Sequence, residues 1–122
     1  KKNHNSLVNR IMFVDSVPGE PEAAFIKENN PTGNKINKIL DLVEKGYIVR
    51  TRTDVDTKEA RHNNFIRRDM AFQSGAQILS TDYPVRNLRH SLDYFVSFKD
   101  NIKVRCNPKV NLNHCRLIDL KE

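Results

Sequence analysis

The stretch Ile36-Asn37-Lys38-Ile39-Leu40-Asp41-Leu42-Val43-Glu44-Lys45-Gly46-Tyr47-Ile48-Val49-Arg50-Thr51-Arg52-Thr53 carries the fold in miniature. Ile36, Ile39, Leu40 and Val43 recur at i, i+3, i+4 and i+7, the spacing of one apolar helix stripe. Thr32 or Asn34 can cap its start, and Gly46 stands where a helix-terminating glycine belongs. The β-branched run from Tyr47 to Thr53 then predicts a strand.

The same rhythm extends outward. Arg10 to Asp15 is an apolar run closed by an acid, as in strands buried on both faces, and Val17-Pro18-Gly19 turns the chain after it. Ala23 to Lys27 is a weaker strand candidate. A second helix is predicted from about Thr57 to Ser74, capped by Asp56 or Thr57, with Ile66, Met70 and Gln73 on one face and Gly75 as its stop. Ala76 to Thr81 is the next strand, ended by Asp82-Tyr83-Pro84. Strand, helix, glycine, strand reads as βαβ with a parallel sheet. Beyond Pro84 the rhythm fails, and Tyr94–Phe98 and Ile102–Arg105 read as short strands or an extended tail.

Composition sets bounds. The 122 residues hold 21 Lys+Arg and 15 Asp+Glu, a net charge of +6, with 38% hydrophobic and 30% charged residues. That is a globular balance, and no apolar run approaches the roughly 20 residues of a membrane span. The length excludes a complete (β/α)₈ barrel of about 250 residues. The chain opens Lys1-Lys2-Asn3-His4, without Met or an apolar leader, and so reads as processed or excised. The basic excess sits mainly in the last third, which raises the alternative of a module for nucleic acid or anionic lipid.

Ligands of parallel α/β folds gather at the carboxyl ends of the strands. Those ends carry Asp15, then Arg50, Arg52 and Asp54 at one parity, then Asp82 and Tyr83. Guanidinium forks grip phosphate oxygens, and carboxylates accept from sugar or cyclitol hydroxyls. Pairing of Arg with Asp, or a turn role for Asp82, is the plainer alternative for each. Arg67-Arg68-Asp69 reads as a solvated helix face with local ion pairs. His4, His62, His90 and His114 show no ligand spacing, and no Cys-x-x-Cys or glycine-rich phosphate loop occurs. Cys106 and Cys115, the two cysteines, suggest a short-loop disulfide and an oxidising compartment; two separate buried thiols are the alternative.

Five ordered segments resemble one family. Gly46 to Asp54, Glu59-Ala60-Arg61, Arg67-Arg68-Asp69, Ser74-Gly75-Ala76-Gln77 and Ser80-Thr81-Asp82-Tyr83-Pro84 look like the C-terminal half of the calcium-dependent phosphoinositide-specific phospholipase C family. Met12-Phe13-Val14-Asp15, the stretch from Ala23 to Pro31, and Arg105-Cys106-Asn107-Pro108 with Cys115 are also similar to it. The resemblance implies the C-terminal half of a TIM barrel, with residues 1–84 as its βα units and 85–122 as a Cys-containing tail of the same domain. It implies a phosphodiesterase in which the inositol 2-hydroxyl attacks the phosphodiester, histidines act as base and acid, and calcium is the cofactor.

Those histidines belong to the first half of the barrel, so none is assigned here; the metal ligands stay unknown and this piece alone is expected to be inactive. The implied roles are Asp82 orienting a histidine, Arg52 and more weakly Arg50 contacting phosphate or inositol, and Asp54 and Tyr83 contacting inositol hydroxyls or stacking on the ring. The expected partner is a phosphoinositide headgroup at a membrane surface, with no nucleic acid, and the expected location is extracellular. A relative that has lost catalysis and binds inositol or carbohydrate is the second alternative.

Overall fold

A computed structural model describes residues 15–86, 93–110 and 115. The elements are β1 (Phe25–Lys27), α1 (Lys35–Glu44), β2 (Ile48–Arg52), α2 (Lys58–Arg61), α3 (Ile66–Gln73) and β3 (Ile78–Ser80), with a single 3₁₀ turn at Lys99–Asn101. The strands form one parallel sheet in the order β1-β2-β3. Asp15 adds a parallel bridge to Phe25, so the sheet gains a fourth position on the β1 side. The rest of the predicted first strand, 10–14, lies outside the described residues, as do His4, His90 and His114.

Alternation divides the sheet into two faces. Ile26 and Val49 point toward α1 and bury against Ile39, Leu42 and Val43. Burying one such aliphatic side chain is worth about 1.5–3 kcal/mol, which is what holds a ten-residue helix too short to persist alone. The buried stripe is Ile39, Leu42 and Val43, while Ile36 and Leu40 flank it half-buried. Gly46, at φ +87°, ends α1 as predicted: its N–H bonds to the Val43 carbonyl and the Tyr47 N–H to the Leu42 carbonyl. Neither predicted cap holds the other end; the Thr32 hydroxyl instead donates to Asn30 Oδ1 at 2.7 Å.

The second predicted helix is two. α2 and α3 are separated by 62–65, where Asn63 takes φ +47° and Asn64 Oδ1 accepts from the Ile66 N–H. Neither Asp56 nor Thr57 caps α2 with its side chain. The break rotates the expected face: Ile66 is exposed, and Ala71 is the buried residue of α3.

The predicted strands at 94–98 and 102–105 are extended segments without a ladder. This tail packs through aromatic rings and side chains. Ala60, Tyr83, Tyr94 and Val96 form a second buried cluster, with Phe65 and Phe72 against it. The Arg105 guanidinium donates to the Phe72 carbonyl at 2.6 Å and Asn107 Nδ2 to the Gly75 carbonyl at 2.6 Å, covering the open end of α3. Approach is close enough that a Cβ at Gly75 would lie 2.7 Å from Lys109 Cγ. Cys106 and Cys115 are joined in a disulfide.

Candidate functional site

The face of the sheet away from α1 carries the chemistry. On β2, Val49 and Thr51 are buried while Ile48, Arg50 and Arg52 alternate onto the other side. Register sets Lys27 beside Arg50 and Arg52 beside Ser80. Each guanidinium is held by the neighbouring strands. Arg50 Nε donates to Ser80 Oγ and its Nη1 to Asn29 Oδ1 at 2.9 Å. Arg52 Nη2 meets Asp82 Oδ2 at 3.0 Å. At the far side of the rim, Lys27 Nζ lies 2.8 Å from Asp15 Oδ2, and the hydrogen bond from Lys27 holds the Asp15 carboxyl below its usual range.

Asp54 and Tyr83 occupy different places from those expected. Asp54 has 0% exposure, so it makes no contact on the rim. The hydroxyls of Thr53, at 2.8 Å, and Thr81 donate to Asp54 Oδ2, and the Asp82 N–H donates to its Oδ1 at 3.0 Å. A carboxylate accepting three bonds ties the end of β2 to the end of β3 and aims the backbone from which Asp82 projects. Its parity with Arg50 and Arg52 fails because Thr53 and Asp54 are both buried, which ends the strand's alternation.

Tyr83 is buried as well. Its hydroxyl donates to the Asp56 carbonyl at 3.3 Å, and its ring meets Tyr94 edge-on at 5.6 Å. Burial, with the nearby Asp54 charge, raises the phenol above its ordinary range. Tyr94 donates to the Thr53 carbonyl at 3.1 Å. Both tyrosines brace the rim from beneath.

Arg67 joins the site although the sequence pattern gave it to solvent. Its Nη2 donates to the Asn29 carbonyl at 2.7 Å and its Nη1 to Asn30 Oδ1 at 3.2 Å, reaching from α3 to the end of β1. Arg68 does follow the local reading, pairing with Asp69 at 2.7 Å. Asn29 is thus gripped from two sides, by Arg50 and Arg67. The Nε atoms of Arg52 and Arg67 are buried without a protein partner among the described residues. No periodicity separates Arg67 from Arg68; only the fold brings 67 to 29.

A family model described as phosphoinositide phospholipase C, Ca2+-dependent, matches residues 1–108. The chain belongs to that family. Comparison with curated proteins and with solved structures gives no match. The family description is calcium-dependent, and calcium takes six to eight oxygen ligands. Among the described residues no three His, Cys, Asp or Glu side chains converge. The rim carboxylates are compensated locally: Asp15 by Lys27, Asp82 by Arg52, and Asp54 by its three donors. The described residues therefore do not fit a calcium shell. No helix among them is long and apolar enough to cross a membrane.

Proposed function

We propose that this chain is the C-terminal half of a TIM barrel that cleaves the phosphodiester of a phosphoinositide, and that it supplies the anion-binding rim. Family membership supports the reaction class. The strand order supports the barrel. Asp15, β1, β2 and β3 advance in chain order in one direction, as barrel strands do, whereas doubly wound sheets reverse. Asp15 would end strand five, and β1, β2 and β3 would be strands six, seven and eight.

The observation that carries the reading is the Arg52–Asp82 pair at the carboxyl ends of adjacent strands. In a closed barrel strand eight lies beside strand one, and Asp82 would meet a histidine contributed from there. A carboxylate holding an imidazole fixes its tautomer and steadies the cation it becomes. The inositol 2-hydroxyl loses its proton to a general base and attacks phosphorus. The bond from phosphorus to the diacylglycerol oxygen breaks, and a general acid protonates that oxygen. Arg52, with Arg50 behind it, would hold the phosphate oxygens on which charge accumulates. Asp54 contributes indirectly, by fixing the backbone at Asp82. The disulfide supports an extracellular location.

Asp82→Asn and Arg52→Met, in the protein carrying both barrel halves, test this with phosphatidylinositol as substrate. Asp82→Asn is expected to lower kcat on the order of 10²–10⁴-fold with KM little changed. Arg52→Met should lower kcat/KM about 10²-fold or more. Wild-type rates in both variants would sink the proposal. Binding of inositol phosphate without turnover in the unaltered protein would point instead to a relative that has lost catalysis.

A further inference from the structure

We propose that the surface around Val85, Arg86, Ile102, Lys103 and Val104 seats on an anionic lipid bilayer. Val85 is 68%, Ile102 42% and Val104 58% exposed. Single exposed apolar residues need no explanation, but Val85 and Ile102 line connected grooves that share Lys103, and Val104 lines a neighbouring groove with Lys103 and Arg105. Pro84, Val85, Arg86, Phe95, Asn101 and Lys103 line one groove of about 370 Å³. Pro84 and Lys103 continue into a second, apolar one of about 200 Å³, which Ile102 also lines and which reaches Thr81. Neither is lined by an acid.

Local contacts hold both cations at this surface. Lys103 Nζ donates to the Pro84 carbonyl at 2.9 Å, and the Arg86 guanidinium stands 5.3 Å from the centre of the Phe95 ring. Over residues 84–86 and 93–110, Arg86, Lys99, Lys103, Arg105 and Lys109 face only two acids, Asp93 and Asp100.

Short apolar side chains beside Lys and Arg are the composition of an interfacial contact. The apolar atoms enter the headgroup boundary while the cations meet lipid phosphates. An acidic protein partner would satisfy the charges, but the two grooves and scattered valines form no continuous apolar core of the kind a stable interface buries. The surface also adjoins the candidate site, since Thr81 in the second groove's wall precedes Asp82. A bilayer seated there would lie beside the Arg52–Asp82 rim. The inference deepens the phosphoinositide reading and rests on it only for that last step.

Co-sedimentation with vesicles tests it, using phosphatidylcholine alone or mixed with phosphatidylglycerol or with phosphatidylinositol. The protein should bind both anionic mixtures and not phosphatidylcholine alone, less strongly as salt rises. R86Q/K103Q should weaken binding about 25-fold, at about fivefold per cation. V85N/V104N should weaken it by about fivefold or more, with its melting transition unchanged; R86Q/K103Q also loses the Lys103–Pro84 and Arg86–Phe95 contacts and is compared below its own melting transition. Equal binding by either double variant, or no binding by wild type, overturns the proposal. Binding that requires phosphoinositide and ignores phosphatidylglycerol also overturns it, because the rim alone would then hold the lipid, and the enzymatic reading would survive. Variant-sensitive binding without phosphodiester cleavage would leave the surface standing and remove the enzymatic reading.

Discussion

The sheet and the tail are two solutions to one problem, satisfying backbone groups while burying apolar surface. Between Phe25 and Ser80 the strands bond to one another, and α1 closes one face with Ile39, Leu42 and Val43. From Tyr94 to Asn107 no ladder forms; beside a backbone bond from the Val96 N–H to the Tyr83 carbonyl at 2.9 Å, the anchors are side chains. Tyr94 bonds the Thr53 carbonyl, Lys103 that of Pro84, Arg105 that of Phe72 and Asn107 that of Gly75. Arg105 also lies over the Phe72 and Phe98 rings, at 5.3 and 4.4 Å. Stability in the first region belongs to a cooperative unit. In the second it belongs to separable contacts, each of which can be removed one at a time.

The strongest way to break that comparison is within the cooperative region, where the end of β2 is tied to the end of β3. Asp54→Ala deletes the acceptor that joins β2 to β3 and leaves the Thr81 and Asp82 donors without it. The expected loss is about 3 kcal/mol, because hydrogen bonds to a buried charge are the costly ones to leave unmade. Urea unfolding should show a single transition at lower denaturant with an unchanged slope. A change of less than about 0.5 kcal/mol would mean that the aliphatic cluster alone sets the stability of the sheet.

A sharper cut is at the disulfide. The chain-entropy account gives about 2.5 kcal/mol for a loop of this length, between cysteines nine residues apart. If tail and sheet are separable, Cys106→Ser with Cys115→Ser should release the tail first. Amide exchange should quicken across 103–110, beside the Arg105 and Asn107 anchors, while the β2 amides keep their protection. Equal acceleration in β2 would show one cooperative unit and end the distinction drawn above.

The same division explains what could be read from sequence. Period 3.6, then glycine, then a β-branched run is written in consecutive residues, so α1, Gly46 and β2 were legible. The break between α2 and α3 was not, because it depends on Asn63 entering the left-handed region, which leaves no periodic trace. The candidate site divides likewise. The expectation that Arg50, Arg52 and Asp82 stand together at strand ends agrees with their positions, because position along a strand is a local property. Asp54 and Tyr83 sit one step past that logic, where alternation stops and both turn inward. Arg67 required knowing that α3 starts near the end of β1, a contact across 38 residues for which sequence spacing has no code.

The smallest effect lies at the outer edge of the rim, where the ladder gives way to a single bridge. Asp15 contacts β1 through that bridge and through its side chain, which accepts from the Lys27 N–H at 3.3 Å and pairs with Lys27 Nζ. The Lys27 bond depresses the folded-state pKa of Asp15. A depressed carboxylate contributes stability that is present above its unfolded pKa, here near the ordinary 3.8, and lost as pH falls through the lower folded value. The pair is solvent-exposed, so screening keeps the contribution small and salt-sensitive. NMR titration should place the Asp15 midpoint below that of an ordinary aspartate, and Lys27→Met should raise it part of the way back, since the residue-27 N–H still donates. A midpoint in Lys27→Met still as low as in the wild type would assign the shift to the residue-27 N–H and the Arg50 charge, and Arg50→Met would then separate the two. Only a rise in Arg50→Met would join the edge electrostatically to the rest of the rim.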